Sequence, residues 1–347
     1  MSIDRGIPLA LAAAALFGAS TPVAKILLGS IDPWMLAGLL YLGSGIGLGV
    51  FQAFRGSAAE ASLQRADLPW LAAVVAFGGV VGPILLMYGL RATDAASASF
   101  LLNLEGVFTV VIAWTVFREN VDWAIACGAA AILAGAALLS LQPGAAFGIG
   151  WGALAIAGAC LCWAIDNNLT RKLSAANPIQ IAMTKGAAAG AINVALALSI
   201  GAGFPSSSAL LIGAAVGFLG YGVSLVCFVL ALRHLGTART GAYFSLAPFV
   251  GAGIAITFLG DAVTLRFGIA AALMSLGLWL HLRERHEHEH IHETIEHTHR
   301  HRHDAHHRHA HGPGDPPGEP HSHPHRHDRL VHAHPHYPDL HHQHGHS

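Results

Sequence analysis

The chain has 347 residues and a net charge of −1, with charged side chains at only 11% against 53% hydrophobic residues. Near-neutral charge argues against a nucleic-acid partner. A soluble core of this length would alternate apolar and polar faces, which this chain does not do before residue 283. Beyond that point it turns polar, and only His234 and His281 of its 25 histidines precede Arg283.

Ten apolar runs of about 20 residues, the length that crosses a bilayer, are predicted. They lie at 7–28, 33–54, 68–90, 95–117, 122–141, 148–170, 177–201, 209–232, 239–259 and 263–282, and are numbered here as spans 1 to 10. Backbone groups in lipid must pair internally, so the spans read as helices. Span 1 has no small-residue cleavage site after it and carries Pro22 and Lys25, so it reads as retained. Lys and Arg concentrate on one side: Arg5, Arg55, Arg65, Arg118, Arg171, Lys172, Arg233, Arg239, Arg283 and Arg285. Arg91, Arg266 and Lys25 fall on the other. The bias puts both termini in the cytoplasm, and the expected location is the inner membrane of a prokaryote.

The apolar part is written twice. Leu90 through Val121 returns 142 positions later as Leu232 through Val263, and Leu90, Arg91, Ala96, Leu104, Ile112, Ala113, Thr115 and Val121 meet identical residues. Lys25 lines up with Arg171, and Asp32-Pro33 with Asn177-Pro178. Five spans per half is an odd number, so the halves enter the membrane in opposite senses, as in secondary transporters built from inverted repeats. The expected fold is all-α: ten transmembrane helices as two inverted five-helix repeats, 1–142 and 143–284, then a disordered tail at 285–347. Glycines four apart (Gly45/Gly49, Gly148/Gly152, Gly186/Gly190, Gly213/Gly217) predict close helix crossings. Cys127, Cys160, Cys162 and Cys227 fall inside spans without a CxxC spacing and read as packing residues.

Helix breaks are expected at Pro22 in span 1, at Gly106 in span 4 and at Pro248, its repeat partner, in span 9. Matching weak points in two halves mark a midplane binding site. Glu105 lies at the centre of span 4, where an ionised carboxylate must be paired, hydrated or protonated. Lys185 lies well inside span 7, and Asp166 precedes Asn167 and Asn168 near the end of span 6. Glu105, Lys185 and Asp166 are expected to face one aqueous cavity. Glu105 would serve as solute ligand or proton carrier, and Lys185 as counter-ion or anion ligand. Asn167, Gln180 and Asn103 are further candidates, although Asn103 faces away from Glu105. Glu119 and Asp261, at loop ends, read as caps of the helices that follow.

Leu104-Glu105-Gly106-Val107-Phe108, followed by Arg118-Glu119, resembles the "L-E-P-V" and "G-E" segments of the EamA family of the drug/metabolite transporter superfamily. Here Gly106 replaces the usual Pro, which the second half keeps as Pro248. Ala231 through Gly236 is similar to the family's "ALRYL" turn, and Phe17 through Lys25 to its opening helix. The resemblance covers residues 7–282 and implies a ten-helix inverted-repeat carrier with a central cavity, usually an exporter of metabolites, amino acids or drugs. It fixes no substrate.

The tail reads HEHEHIHETIEHTHRHRHDAHHRHAH from His286. Dense imidazoles suit Ni, Zn and Co, and His286, His288, His290, His292, His297, His299, His301 and His303 are the candidate ligands. No cofactor is otherwise required. The leading expectation is a secondary, proton-coupled transporter of small solutes working by alternating access. The alternatives are a divalent metal carrier regulated by its tail and a membrane-anchored metal buffer. No GxSxG, HExxH or Walker A pattern points to an enzyme. The expected partners are a small-molecule solute and the lipid bilayer, with a homodimer left open. Titration with Ni2+ and Zn2+ should show tight binding by the tail that a chain ending at residue 284 lacks. Unchanged metal tolerance of cells carrying the shortened chain would sink the metal carrier regulated by its tail.

Overall fold

A computed structural model of the chain describes residues 3–55, 63, 65–117, 123–141, 149–173, 177–235, 240, 243–283, 287–292, 295–301, 321–327 and 330–335. Two compact units divide it, residues 1–284 and 285–347. Among the described residues of the first unit, eight helices are long and apolar enough to cross a membrane. They are Gly6–Leu27, Pro33–Phe54, Leu68–Ala92, Ala95–Val116, Trp123–Ser140, Trp151–Thr170, Ile179–Ser199 and Ser207–Phe228, which correspond to spans 1 to 8. Two shorter apolar helices, Ala247–Leu259 and Leu265–Leu280, occupy spans 9 and 10.

The echo between Asp32-Pro33 and Asn177-Pro178 is a helix start used twice. Asp32 Oδ1 accepts from the Trp34 N–H at 2.8 Å, and Asn177 Oδ1 from the Ile179 N–H at 2.9 Å. Each cap is followed by proline at the first helical position, where no N–H is needed. Asp261 corrects its expectation. It accepts from the Ala96 N–H at 2.8 Å, so it caps span 4 of the other half and not the helix that follows it. Glu119 lies outside the described residues.

The two halves interlock through spans 2 and 7, which are partners under the repeat. A Cβ on Gly186 would come within 2.7 Å of the Gly45 nitrogen and 2.9 Å of the Tyr41 carbonyl oxygen. One on Gly190 would reach 2.5 Å from the Leu42 nitrogen. Small residues are needed here because helix backbones approach closely where lipid offers no hydrophobic drive. Spans 5 and 10 pair in the same manner through Gly135 and Gly277. Gly49 and Gly213 make only ordinary contacts, 3.6 Å from Met183 Sδ and from Leu39 Cδ1, and Gly148 lies outside the described residues.

Four of the spans are irregular among the described residues. Span 4 stops at Leu101, turns through Leu102 and Asn103, and restarts as Leu104–Phe117. Span 9 turns at Ser245 and Leu246 before the helix Ala247–Ile254, so both breaks lie just before Gly106 and Pro248. Span 3 holds a π-helical turn at Val75–Val81, and span 8 holds another at Gly217–Val223. The two π turns are separated by 142 positions, the offset of the repeat. Pro22 corrects its expectation, because the helix Ile3–Leu27 runs through it. Proline costs a helix one hydrogen bond and a clash four residues back, which neighbouring helices compensate inside a membrane bundle.

Among its described residues the second unit carries four strands, β1 Glu287–His292, β2 Ile295–His301, β3 His321–His327 and β4 Leu330–Pro335. β1 pairs with β4 and β2 with β3, both antiparallel. Histidine at every second position matches the strand repeat. His286 and His303 lie outside the described residues.

Gly186→Ala should lower the melting temperature in detergent, reflecting overpacking of about 1–3 kcal/mol. Gly268→Ala, in open space, should leave it unchanged. Equal melting of the two variants contradicts the crossing.

Candidate transport site

Asn103 ends the first half of span 4. Its backbone N–H and its side-chain Nδ2 both donate to the Phe100 carbonyl, at 3.0 and 2.9 Å. Asparagine competes in this way with helical bonding. The turn leaves the Leu101 and Leu102 carbonyls facing Cys160 Sγ of span 6, at 3.7 and 3.9 Å. The restart puts Glu105 in the first turn of the second half-helix, where the helix dipole favours a carboxylate. Asn167 Nδ2 donates to Glu105 Oε1 at 2.8 Å. Beside them Gly106 faces open space.

One residue earlier on span 6, Asp166 forms an ion pair with Lys185 of span 7. Their side chains are 7% and 19% exposed, so both charges are largely withdrawn from solvent. The Thr170 hydroxyl donates to Asp166 Oδ1 at 3.2 Å. The Asp166 carboxylate occupies the space a Cβ on Gly78 would need, within the π turn of span 3. That turn is held by side chains from three other spans. The Gly78 carbonyl accepts from the Tyr41 hydroxyl at 2.6 Å and from Trp163 Nε1 at 3.0 Å. The Gly79 carbonyl accepts from Asn193 Nδ2 at 2.9 Å.

Cys160, Trp163, Asn167 and Thr170 are three or four residues apart, so they share one face of span 6 with Asp166 at its edge. That face meets the break in span 4 and the π turn in span 3. On the other flank a row of rings packs together, Tyr41 tilted against Tyr221 at 5.5 Å between ring centres, Tyr221 edge-on to Phe17 at 5.8 Å, and Phe17 tilted against Phe244 at 5.5 Å.

The structure thus brings Glu105, Asn167, Asp166 and Lys185 into one region. Asn103 closes its own helix end. Gln180, in the first turn of its helix, instead accepts from the Leu63 N–H at 3.2 Å. Sequence reasoning missed Tyr41, Thr170 and Gly78. The signal for Gly78 was its repeat partner, Gly220, which packs against Ser20 as Gly78 packs against Asp166. With every group ionised, two carboxylates face one ammonium, which leaves one negative charge for a proton or a cationic group to balance. Asn168 Oδ1 and Asn193 Oδ1 are buried acceptors without a partner among the described residues. Among those residues no group of three or more His, Cys, Asp or Glu is placed to hold a metal ion.

Lys185→Met should cost about 3–5 kcal/mol of stability, because it strands the Asp166 carboxylate. Adding Asp166→Asn should restore most of the melting temperature. Additive losses in the double variant contradict a coupled pair.

The EamA-like transporter family model matches residues 4–141 and 150–283, one match for each half of the bundle. An "Uncharacterized transporter" of Methanothermobacter thermautotrophicus (strain Delta H) is 27% identical over 281 residues, 76% of this chain and 81% of its own length. A crystal structure of a protein superposes with a TM-score of 0.60 at 19% identity, covering 80% of this chain and 96% of that one. At that identity it speaks for the fold alone. With both five-span halves matched, the chain belongs to the EamA-like transporter family.

Proposed function

We propose that the protein is a proton-coupled secondary transporter that moves a small organic solute across the inner membrane of a prokaryote by alternating access, with both termini in the cytoplasm. The carrying observation is Glu105 at the restart of a broken span, hydrogen-bonded to Asn167 and one residue along span 6 from the Asp166–Lys185 pair. A carboxylate at that depth must exchange a proton or a cationic partner to remain there. Glu105 carries the proton or holds a cationic group of the solute. Asn167 orients the carboxylate, and Lys185 with Asp166 offers the second polar contact. The inverted repeat supplies the two-sided motion.

The register of the tail favours a second reading. His288 lies opposite His334, His290 opposite His332, His297 opposite His325, His299 opposite His323 and His301 opposite His321. Facing pairs of imidazoles are the ground for this reading, in which the tail takes up Ni, Zn or Co.

In proteoliposomes, Glu105→Gln should reduce solute uptake driven by a pH gradient by about tenfold or more, and Lys185→Met likewise, a loss of about 1.4 kcal/mol or more. If Glu105 is the proton carrier, solute exchange without a gradient survives in Glu105→Gln. If it is a solute ligand, exchange falls too. Wild-type uptake in both variants would defeat the assignment.

A further inference from the structure

Away from the polar site, the end of the bundle opposite the N-terminus is tied by charged side chains. Lys25, in the last turn of span 1, donates from Nζ to the Leu90 carbonyl, to the Thr93 carbonyl at 2.8 Å and to the Arg91 carbonyl at 3.4 Å. These are the free carbonyls at the C-terminal end of span 3, where a cation is favoured by both hydrogen bonding and the helix dipole. A few residues on, Asp94 caps span 4 through the Ser97 N–H at 2.7 Å. Asp261 then accepts from the Ala96 N–H at 2.8 Å. It is presented from the loop before span 10 by Gly260, whose φ of 77° turns the chain sharply. One knot therefore joins span 1, the end of span 3, the start of span 4 and the connection between spans 9 and 10.

Span 4 is sealed beneath the knot and open beyond it. Every residue from Ala95 to Leu104 is buried, and exposure begins at Glu105 and Gly106. A hydrogen-bonded Glu105–Asn167 pair exposed at mid-span would be costly against lipid, so water must reach it. With the upper half closed, that water enters from the face carrying the N-terminus.

We propose that Lys25 and Asp261 form the latch that keeps the far side of the carrier shut, and that this structure is the state open toward the N-terminal face. The latch rests on the transporter reading above. It holds a state in place by binding two helix ends that must separate for the other state to form. Releasing it shifts the population toward opening on the far side.

The test needs no solute. Asn167→Cys is placed in the full chain in membrane vesicles of both orientations, and labelled with a membrane-impermeant charged maleimide. Labelling of the otherwise unaltered chain is subtracted, and a tag at the N-terminus reports sidedness. Asn167→Cys should label about tenfold faster from the N-terminal face than from the far face. Adding Lys25→Met or Asp261→Asn should raise far-face labelling about tenfold, whereas Lys25→Arg should leave it low. Faster labelling from the far face in the parent, or sidedness unchanged in both latch variants at unchanged melting temperature, overturns the proposal. If Lys25→Met does not fold, Asp261→Asn alone decides by the same readout. Loss of solute transport in Glu105→Gln bears on the site and leaves this labelling pattern unaffected, so the two ideas fail separately.

Discussion

A backbone carbonyl inside a bilayer has no water to bond, so every place where a spanning helix departs from α geometry must be supplied with a donor from elsewhere in the protein. This bundle makes two such departures side by side, the π turn in span 3 and the break in span 4. Both are met by one face of span 6. Trp163 donates to Gly78, Cys160 faces Leu101 and Leu102, and Asn167 reaches Glu105 at the restart. Tyr41 and Asn193 complete the π turn from spans 2 and 7. In spans 3 and 4 the irregular backbone is met by side chains of neighbouring spans, and Glu105 and Asp166 lie beside it. π turns in helices are often associated with function, because they free backbone groups and redirect side chains.

The scaffold is symmetric and its chemistry is not. Both halves carry a π turn at the same place, and both have a glycine there that receives a side chain from the first span of the other half. In one case the side chain is Asp166 against Gly78, and in the other it is Ser20 against Gly220. Lys185 has Leu40 as its repeat partner, and Glu105 has Ala247. A carrier that rocks between two faces needs equivalent hinges in its two halves. The charges of the polar cluster have no counterpart in the repeat. The charges lie on spans 4, 6 and 7, whereas the packed rings of Phe17, Tyr221 and Phe244 lie on spans 1, 8 and 9.

Much of this could be read in the sequence, because bilayer physics leaves few choices. Apolar runs of spanning length mark helices, and the order and approximate ends of the spans follow from them. The Asp-Pro and Asn-Pro starts are local signals that act locally. Glu105, Lys185, Asp166 and Asn167 stand out because their neighbours are apolar. What escaped is what depends on a partner far along the chain. Asp261 reads as a cap for its own neighbour, yet it serves Ala96, 165 residues away. Gln180 lies on the same helix as Lys185 but is caught by Leu63 at the helix start. Pro22 reads as a break, yet the helix absorbs it. The π turns were hidden because a π turn adds a residue without a compositional mark. Only the Gly78-Gly79 pair and its echo at Gly220 hinted at them.

The central claim is that the carrier binds its solute in the membrane unit, at the cluster of Glu105, Asn167, Asp166 and Lys185. The most direct measurement is solute-induced thermal stabilisation of a chain ending at residue 284, screened against amino acids, nucleosides and divalent metals, and repeated with Glu105→Gln and Lys185→Met. Ligand binding raises stability by mass action. The account predicts that an organic solute raises the melting temperature of the shortened chain and that both substitutions abolish the rise. Stabilisation that persists in both variants, or that appears only with metals and only when the tail is present, would contradict it.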